Sequence, residues 1–333
     1  MSTPPENTER ARSRRRLALL AAGVATAAAT VALLAVSAFD RGSGPAVSGP
    51  ALALPPRSTA AKAAPSVQTP GFVGLPLAGH ERDVLVGIGA RAGGPVDVVV
   101  IPSDESDVPA DDVRLRVGGA SATGSAAASC GSRCLRFPLR VLAGSPRAFS
   151  VVVSRRGKPD AVVPFDLPAR LPPAADELYT RARARMLGLR SLAIDETLGS
   201  GLGSPLLSHW SFQAPDRLSY TIAGGAKAIV VGTRRWDWGG GRWTPSSTPP
   251  VRVPAYPWQD ARGARLVGRA VVAGKPVRQL ALMLPGSEFP TWFVLSVDSD
   301  DRVARMQMLT TGHFMVDTYR ALDAAAAIRP PAS

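Results

Sequence analysis

Apolar residues along this chain fall into three patterns: one unbroken run, several short β-branched runs, and one stretch at helical spacing. Leu17 to Phe39 contains no charged residue, and Arg10, Arg12, Arg14, Arg15 and Arg16 stand just before it. As a helix rising about 1.5 Å per residue, that run spans roughly 35 Å, enough for a hydrocarbon core of about 30 Å. Arginines on its near side put the N-terminus in the cytoplasm. The pattern predicts a basic cytoplasmic tail over 1–16 and a single transmembrane anchor over 17–39 in a bacterial inner membrane. Val36-Ser37-Ala38 supplies a small-residue cleavage site, so a removed signal peptide stays open as the alternative. Both readings export everything that follows. Residues 40–70 are rich in Gly, Pro, Ser and Ala, which cannot bury a core, and read as a linker.

Between 71 and 168 the apolar positions form short runs: Asp83–Ala90, Val96–Ile101, Val113–Val117, Leu135–Val141, Ala148–Ser154 and Ala161–Phe165. Turn-forming clusters such as Ala92-Gly93-Gly94-Pro95 separate them. Six or seven short strands in that length predict an Ig-like β-sandwich. From 174 to 328 the pattern changes. Leu178, Ala182, Met186 and Leu189 repeat at helical spacing behind Asp176, a predicted N-cap. Strands are predicted at 191–198, 206–213, 217–223, 227–238, 264–273, 276–284, 291–297 and 302–311. Ala273-Gly274-Lys275-Pro276 and Asp298-Ser299-Asp300-Asp301 supply hairpin turns. A short helix is predicted at 317–328. The expected fold class is mainly β with flanking helices: a transmembrane helix, an Ig-like sandwich, and a curved antiparallel half-barrel sheet with a helix at its start.

Charge and chemistry narrow the function. The 333 residues carry a formal net charge of +13, and lysine occurs only at Lys62, Lys158, Lys227 and Lys275. On an exported chain such a basic surface suits an anionic membrane or wall polymer and not nucleic acid. No GxSxG, HExxH or phosphate-loop motif occurs, so the chain reads as a non-enzyme without cofactor. His80, His209 and His313 are far apart and in no ligand spacing, and no metal site is expected. Cys130 and Cys134, the only cysteines, stand in CGSRC. In an exported protein so close a pair most simply forms a disulfide locking a turn, with free thiols or metal ligation as alternatives.

All six tryptophans and five of six methionines follow residue 185. With period two, Trp210 and Phe212 share one face of a strand, Tyr220 joins the next, and Trp236 and Trp238 share a face of a third. Together with Trp292 these are the predicted lining of an apolar, ligand-binding face, since large rings and thioethers tolerate the imperfect contacts of a cavity.

The first helix, ELYTRARARMLGLRSL, followed by FQAPDRLSYT and AIVVGTRRWDW, resembles the lipoprotein carrier LolA and its relatives, which include the anti-sigma regulator RseB and mycobacterial lipid-binding lipoproteins. The resemblance implies a half-barrel holding a lipid or the acyl chain of a protein. The preceding segment, with CGSRCLRFPLRVLAG and FDLPARLPP, resembles the C-terminal region of bacterial copper-resistance membrane proteins. That second resemblance implies a regulatory or copper-handling accessory role, bound to another membrane protein.

Overall fold

A computed structural model describes residues 74–127, 133–284 and 290–332. The segment 17–39, the linker 40–70 and Cys130 lie outside those residues. No described helix is long and apolar enough to cross a membrane.

The first part of the chain is a sandwich of two antiparallel sheets. One sheet holds β1 (Leu75–Glu81), β2 (Val84–Ala90), β3 (Val96–Pro102), β7 (Cys134–Phe137) and β6 (Ser125–Ala126), in that order. The other holds β5 (Ala120–Thr123), β4 (Val113–Val117), β8 (Arg147–Arg155) and β9 (Lys158–Leu167). β9 alternates buried and exposed positions along Ala161–Leu167, as a strand with one wet face must. β2 and β3 are buried at every position, which is why they read as continuous apolar runs. One of their faces, including Val84, Val86 and Ile88, packs on Val151, Val153 and Val163 of the second sheet. The opposite face, with Leu85, Val99 and Ile101, packs on Met283, Trp292, Leu309 and Phe314 from the C-terminal part.

That part opens with α1 (Asp176–Leu187). Asp176 is its first helical residue rather than its cap, and Ala175 caps it without a side-chain bond. Eleven antiparallel strands follow: β10 (Ser191–Gly199), β11 (Leu206–Gln213), β12 (Arg217–Ile222), β13 (Lys227–Val231), β14 (Arg234–Gly239), β15 (Arg242–Ser247), β16 (Arg262–Val272), β17 (Lys275–Leu284), β18 (Thr291–Val297), β19 (Val303–Thr310) and β20 (His313–Arg320). Their order across the sheet is β15-β14-β13-β12-β11-β10-β20-β19-β18-β17-β16. β20 therefore sits mid-sheet, bonded to both β10 and β19. The inner face carries α1 through Leu178, Tyr179, Ala182 and Met186, packed with inward residues of nine strands. The outer face of β17–β20 meets the sandwich. Three sheets are thus stacked, with the helix on the far side of the third.

Two predictions differ from this arrangement, and some strands were not predicted. The helix expected at 317–328 is replaced by β20 and an irregular tail, because Asp317 and Tyr319 alternate inward and both strand edges are paired. The strand expected at 227–238 folds back at Gly232, where φ is +62°, and becomes β13 and β14. The short β5 and β6 had no expectation, and neither had β1 and β15. β1 and β15 each carry a proline and an otherwise weak β pattern, and both lie at a free edge of a sheet, where a missing N–H costs no ladder bond.

Candidate hydrophobic-ligand site

Inward positions of β10–β13 build an aromatic and aliphatic surface. Trp210 and Tyr220 are directly opposed on β11 and β12, with ring centroids 4.6 Å apart. Phe212 stacks beside Trp210 at 6.3 Å. Leu218, Ile222, Ala228, Val230, Leu192 and Ile194 complete the surface. Of the six predicted ligand-binding residues, these three rings are the ones brought together.

The other three face away. Trp236 pairs with Ile229, and its neighbour Arg235 pairs with the inward Val230, so Trp236 and Trp238 stand on the outer face. The period-two reading joined them to each other but could not fix which face they share with Trp210. Trp292 is on the outer face of β18, in the seam with the sandwich, while Phe293 next to it points inward.

The space between α1 and the aromatic surface is occupied by the chain itself. Between β15 and β16 the segment 248–261 crosses the inner side, and its Tyr256 and Trp258 are among the largest fully buried side chains. Their rings stack at 5.0 Å. The Tyr256 hydroxyl donates to the Met186 carbonyl at 3.0 Å. Trp258 Nε1 donates to the Tyr319 hydroxyl at 3.2 Å, and the Tyr179 hydroxyl donates to the Trp258 carbonyl at 2.7 Å. Every polar tip of this aromatic group is satisfied, as buried Tyr and Trp require. Burial pushes the Tyr179 phenol up to about 12 and raises Tyr256 and Tyr319 as well, so all three stay protonated. Sequence reasoning missed this plug. Its signal was available: a 14-residue connection without regular structure that nevertheless carries Val, Tyr and Trp.

Polar groups on the same face were also missed. Glu196 and Asp317 are direct cross-strand partners on β10 and β20. Ser208 donates to Glu196 Oε1 at 2.8 Å, and Trp210 Nε1 donates to Ser208 Oγ at 2.8 Å. Asp317 Oδ1 has no hydrogen-bond partner among the described residues. Burial raises both carboxyls, and for Asp317 the neighbouring Glu196 charge adds to the effect. Near the sheet's free end Arg235 grips Asp237 at 2.6 Å and donates to the Tyr220 hydroxyl at 2.9 Å.

Outside the sheet, His80 lies flat on Phe314 with centroids 3.9 Å apart, and burial lowers its pKa. A half-open cleft of about 290 Å³ runs beside it over Thr197, Leu309 and Val316. His209 bonds Asp195 at 2.8 Å, and His313 contacts the Thr311 carbonyl at 3.1 Å. Among the described residues no three His, Cys, Asp or Glu side chains are grouped to hold a metal. Cys134 is buried at the start of β7 and is not a free thiol, while Cys130 lies outside the described residues. Asp298 closes the β18–β19 turn by accepting from the Asp300 and Arg302 amides. Asp301 there receives Arg181 of α1 and Arg278 of β17 at 2.7 and 2.8 Å.

No protein-family model and no curated protein sequence matches the chain. Among solved structures it is similar to LprF from Mycobacterium bovis, at 12% identity over 48% of this chain and 97% of that one, with a TM-score of 0.38. Lipoprotein LppX from Mycobacterium tuberculosis shows 12% identity over 46% and 99%, with a TM-score of 0.35. A LolA superfamily protein from Nitrosomonas europaea shows 9% over 46% and 95%, with a TM-score of 0.22. The chain spans nearly the whole length of each of these three structures.

Proposed function

We propose that the chain is an extracytoplasmic, non-catalytic binding protein whose inner face takes a hydrophobic ligand, a lipid or the acyl chain of a protein, when the 248–261 segment withdraws. One observation carries the reading: the aromatic surface of Trp210, Phe212 and Tyr220 shares one apolar cluster with Tyr256 and Trp258, which an irregular segment and not a further regular element supplies. A regular layer would be bonded along its length, whereas this plug is held by its rings, by isolated backbone bonds such as Val253 to Pro215, and by Arg183 on Gln259, and a region without a continuous ladder can open locally. Apolar surface with a few placed polar groups is the usual chemistry of such sites. The anchor over 17–39, or a cleaved signal there, supplies the export this reading needs.

A second reading has its own support. The seam where Trp292 covers β2 is tight, and a rigid sandwich fixed to a large sheet suits an accessory module that binds another membrane protein. The two separate in one experiment. Lipid extracted from the purified protein, together with uptake of a fluorescent fatty acid, supports the first. No extracted lipid and no uptake, even with excess probe and gentle warming, would leave the accessory module in its place.

A further inference from the structure

The sandwich covers the outer face of β17–β20, while the outer face at the opposite end of the sheet is left with an unusual composition. Three rows of residues cross β13, β14 and β15 in register there. Lys227, Trp238 and Trp243 form one row; Ile229, Trp236 and Pro245 the next; Val231, Arg234 and Ser247 the third. Trp238 is exposed and meets Trp243 edge-on at 5.3 Å. The Lys227 ammonium lies 6.0 Å from the Trp238 ring, and the Arg234 guanidinium 5.3 Å from that of Trp236. Arg242 stands at the β14–β15 turn, bridged by Gly240 and Gly241. The single acidic residue of the three strands, Asp237, is turned to the other face and held by Arg235. The face therefore carries indoles and cations with no carboxylate among them.

We propose that this corner is a docking surface for an anionic lipid bilayer. Indole rings favour the headgroup region, where an apolar body and a polar N–H are both satisfied. Lysine and arginine beside them gain from the negative potential of anionic headgroups. A patch with an acidic member would lose that gain, and this one has none. The sequence places the partner within reach: with 17–39 as anchor, a linker extended at about 3.3 Å per residue lets the domain lie anywhere within roughly 100 Å of the membrane. Docking through β13–β15 would select one orientation out of that range. The surface is distinct from the inner face and does not depend on the ligand reading.

The chain contains no tryptophan outside the folded part, so its indoles report the contact directly. The full chain is reconstituted in vesicles containing brominated lipids, either wholly phosphatidylcholine or with phosphatidylglycerol added, and tryptophan emission is followed. Quenching is expected in the phosphatidylglycerol vesicles only, weakening as salt screens the attraction. Trp238→Ala with Trp243→Ala should remove most of it. Lys227→Glu with Arg234→Glu should lower the docked-to-undocked ratio roughly tenfold or more, with an unchanged thermal melt. Equal quenching in both vesicles, no quenching in either, or quenching indifferent to the charge reversals overturns the proposal.

Discussion

Gly87 of β2 lies directly beneath the ring of Trp292: a Cβ built on Gly87 would stand 2.0 Å from Cζ2 of the indole. The backbone of Gly87 is ordinary extended strand, so alanine would be preferred there on conformational grounds alone. What forbids it is the indole from a strand about two hundred residues away. Gly87→Ala is expected to destabilise the protein by about 1–3 kcal/mol through overpacking. Gly87→Ala combined with Trp292→Leu should cost less than the sum of the two single changes. Urea unfolding of the four proteins measures the coupling, and strict additivity would mean that the seam does not hold sandwich and sheet together.

Asp83 sits at the base of the same seam, buried between Arg155 and Lys158. Hydrogen bonding to Arg155 holds its carboxyl down at about 2, with Lys158 assisting against the cost of burial. A carboxyl depressed in the folded state binds protons more weakly there than in the unfolded chain. Its contribution is therefore complete above the ordinary aspartate value of about 3.9 and is lost as pH falls toward 2. Asp83→Asn should lower stability at pH 7 and flatten the acid limb of the stability–pH curve, measured by chemical denaturation between pH 2 and 6.

The contrast between Trp210 and Trp292 shows where sequence reasoning ran out. Strand positions were legible, because β11 and β12 alternate cleanly and β18 is a continuous apolar run. Alternation says which residues share a face, not which face is covered by what. Excluding Trp292 from the inner set required knowing that β18 packs its other side on a second sheet, and that is information from residues 85–101. The free-edge strands β1 and β15 were invisible for a related reason. Their stability comes from one neighbour and tolerates proline, so little in their composition marks them. Tyr256 and Trp258 lie in a connection without helix or strand periodicity, so no alternation marks them as buried.

Glu196 and Asp317 should give the protein an unusual neutral-side pH dependence. Both carboxyls are raised in the folded state by burial and, for Asp317, by the charge of Glu196. The folded protein thus holds a proton that the unfolded chain releases near pH 4, so stability falls as pH rises above that value through the raised range. Each tenfold change in proton affinity carries about 1.4 kcal/mol. Asp317→Asn keeps the shape without the charge and is expected to abolish this decline, leaving the variant the more stable of the two at pH 8. A stability curve that keeps its decline in the variant would assign it to another group.

Cys130 and Cys134 are expected to be joined. Cys134 is buried beside Leu85 and Ile101 and is not a free thiol, and the chain offers one other cysteine. The enclosed loop is short, so the bond fixes the β6–β7 connection and contributes little through chain entropy. Mass spectrometry after alkylation without reductant should find no modified cysteine, and reduction should expose two. Cys130→Ser with Cys134→Ala should lower stability by about 1 kcal/mol, well short of the 2–5 kcal/mol typical when a small domain loses an essential bridge.

Trp258 is where stability and the proposed function oppose each other. Its ring is fully buried against Tyr256, Tyr179 and Tyr319, and its Nε1 satisfies the Tyr319 hydroxyl. Trp258→Ala removes the largest side chain of the plug and is expected to cost about 3–5 kcal/mol, the range for deleting a buried aromatic ring. In an ordinary core that would be the whole effect. Here the vacated space lies within the same apolar cluster as Trp210, Phe212 and Tyr220, so an acyl chain should enter it. The variant is expected to bind a fluorescent fatty acid more tightly than the parent, and saturating ligand should raise its melting temperature more, because a ligand that binds only the folded state stabilises it by RT ln(1 + [L]/Kd). Phe212→Ala, which damages the wall and not the plug, should lower stability without improving uptake. A Trp258→Ala protein that melts early, takes up no probe and gains nothing from added lipid would mark the plug as plain core, and the binding reading of the inner face would fall with it.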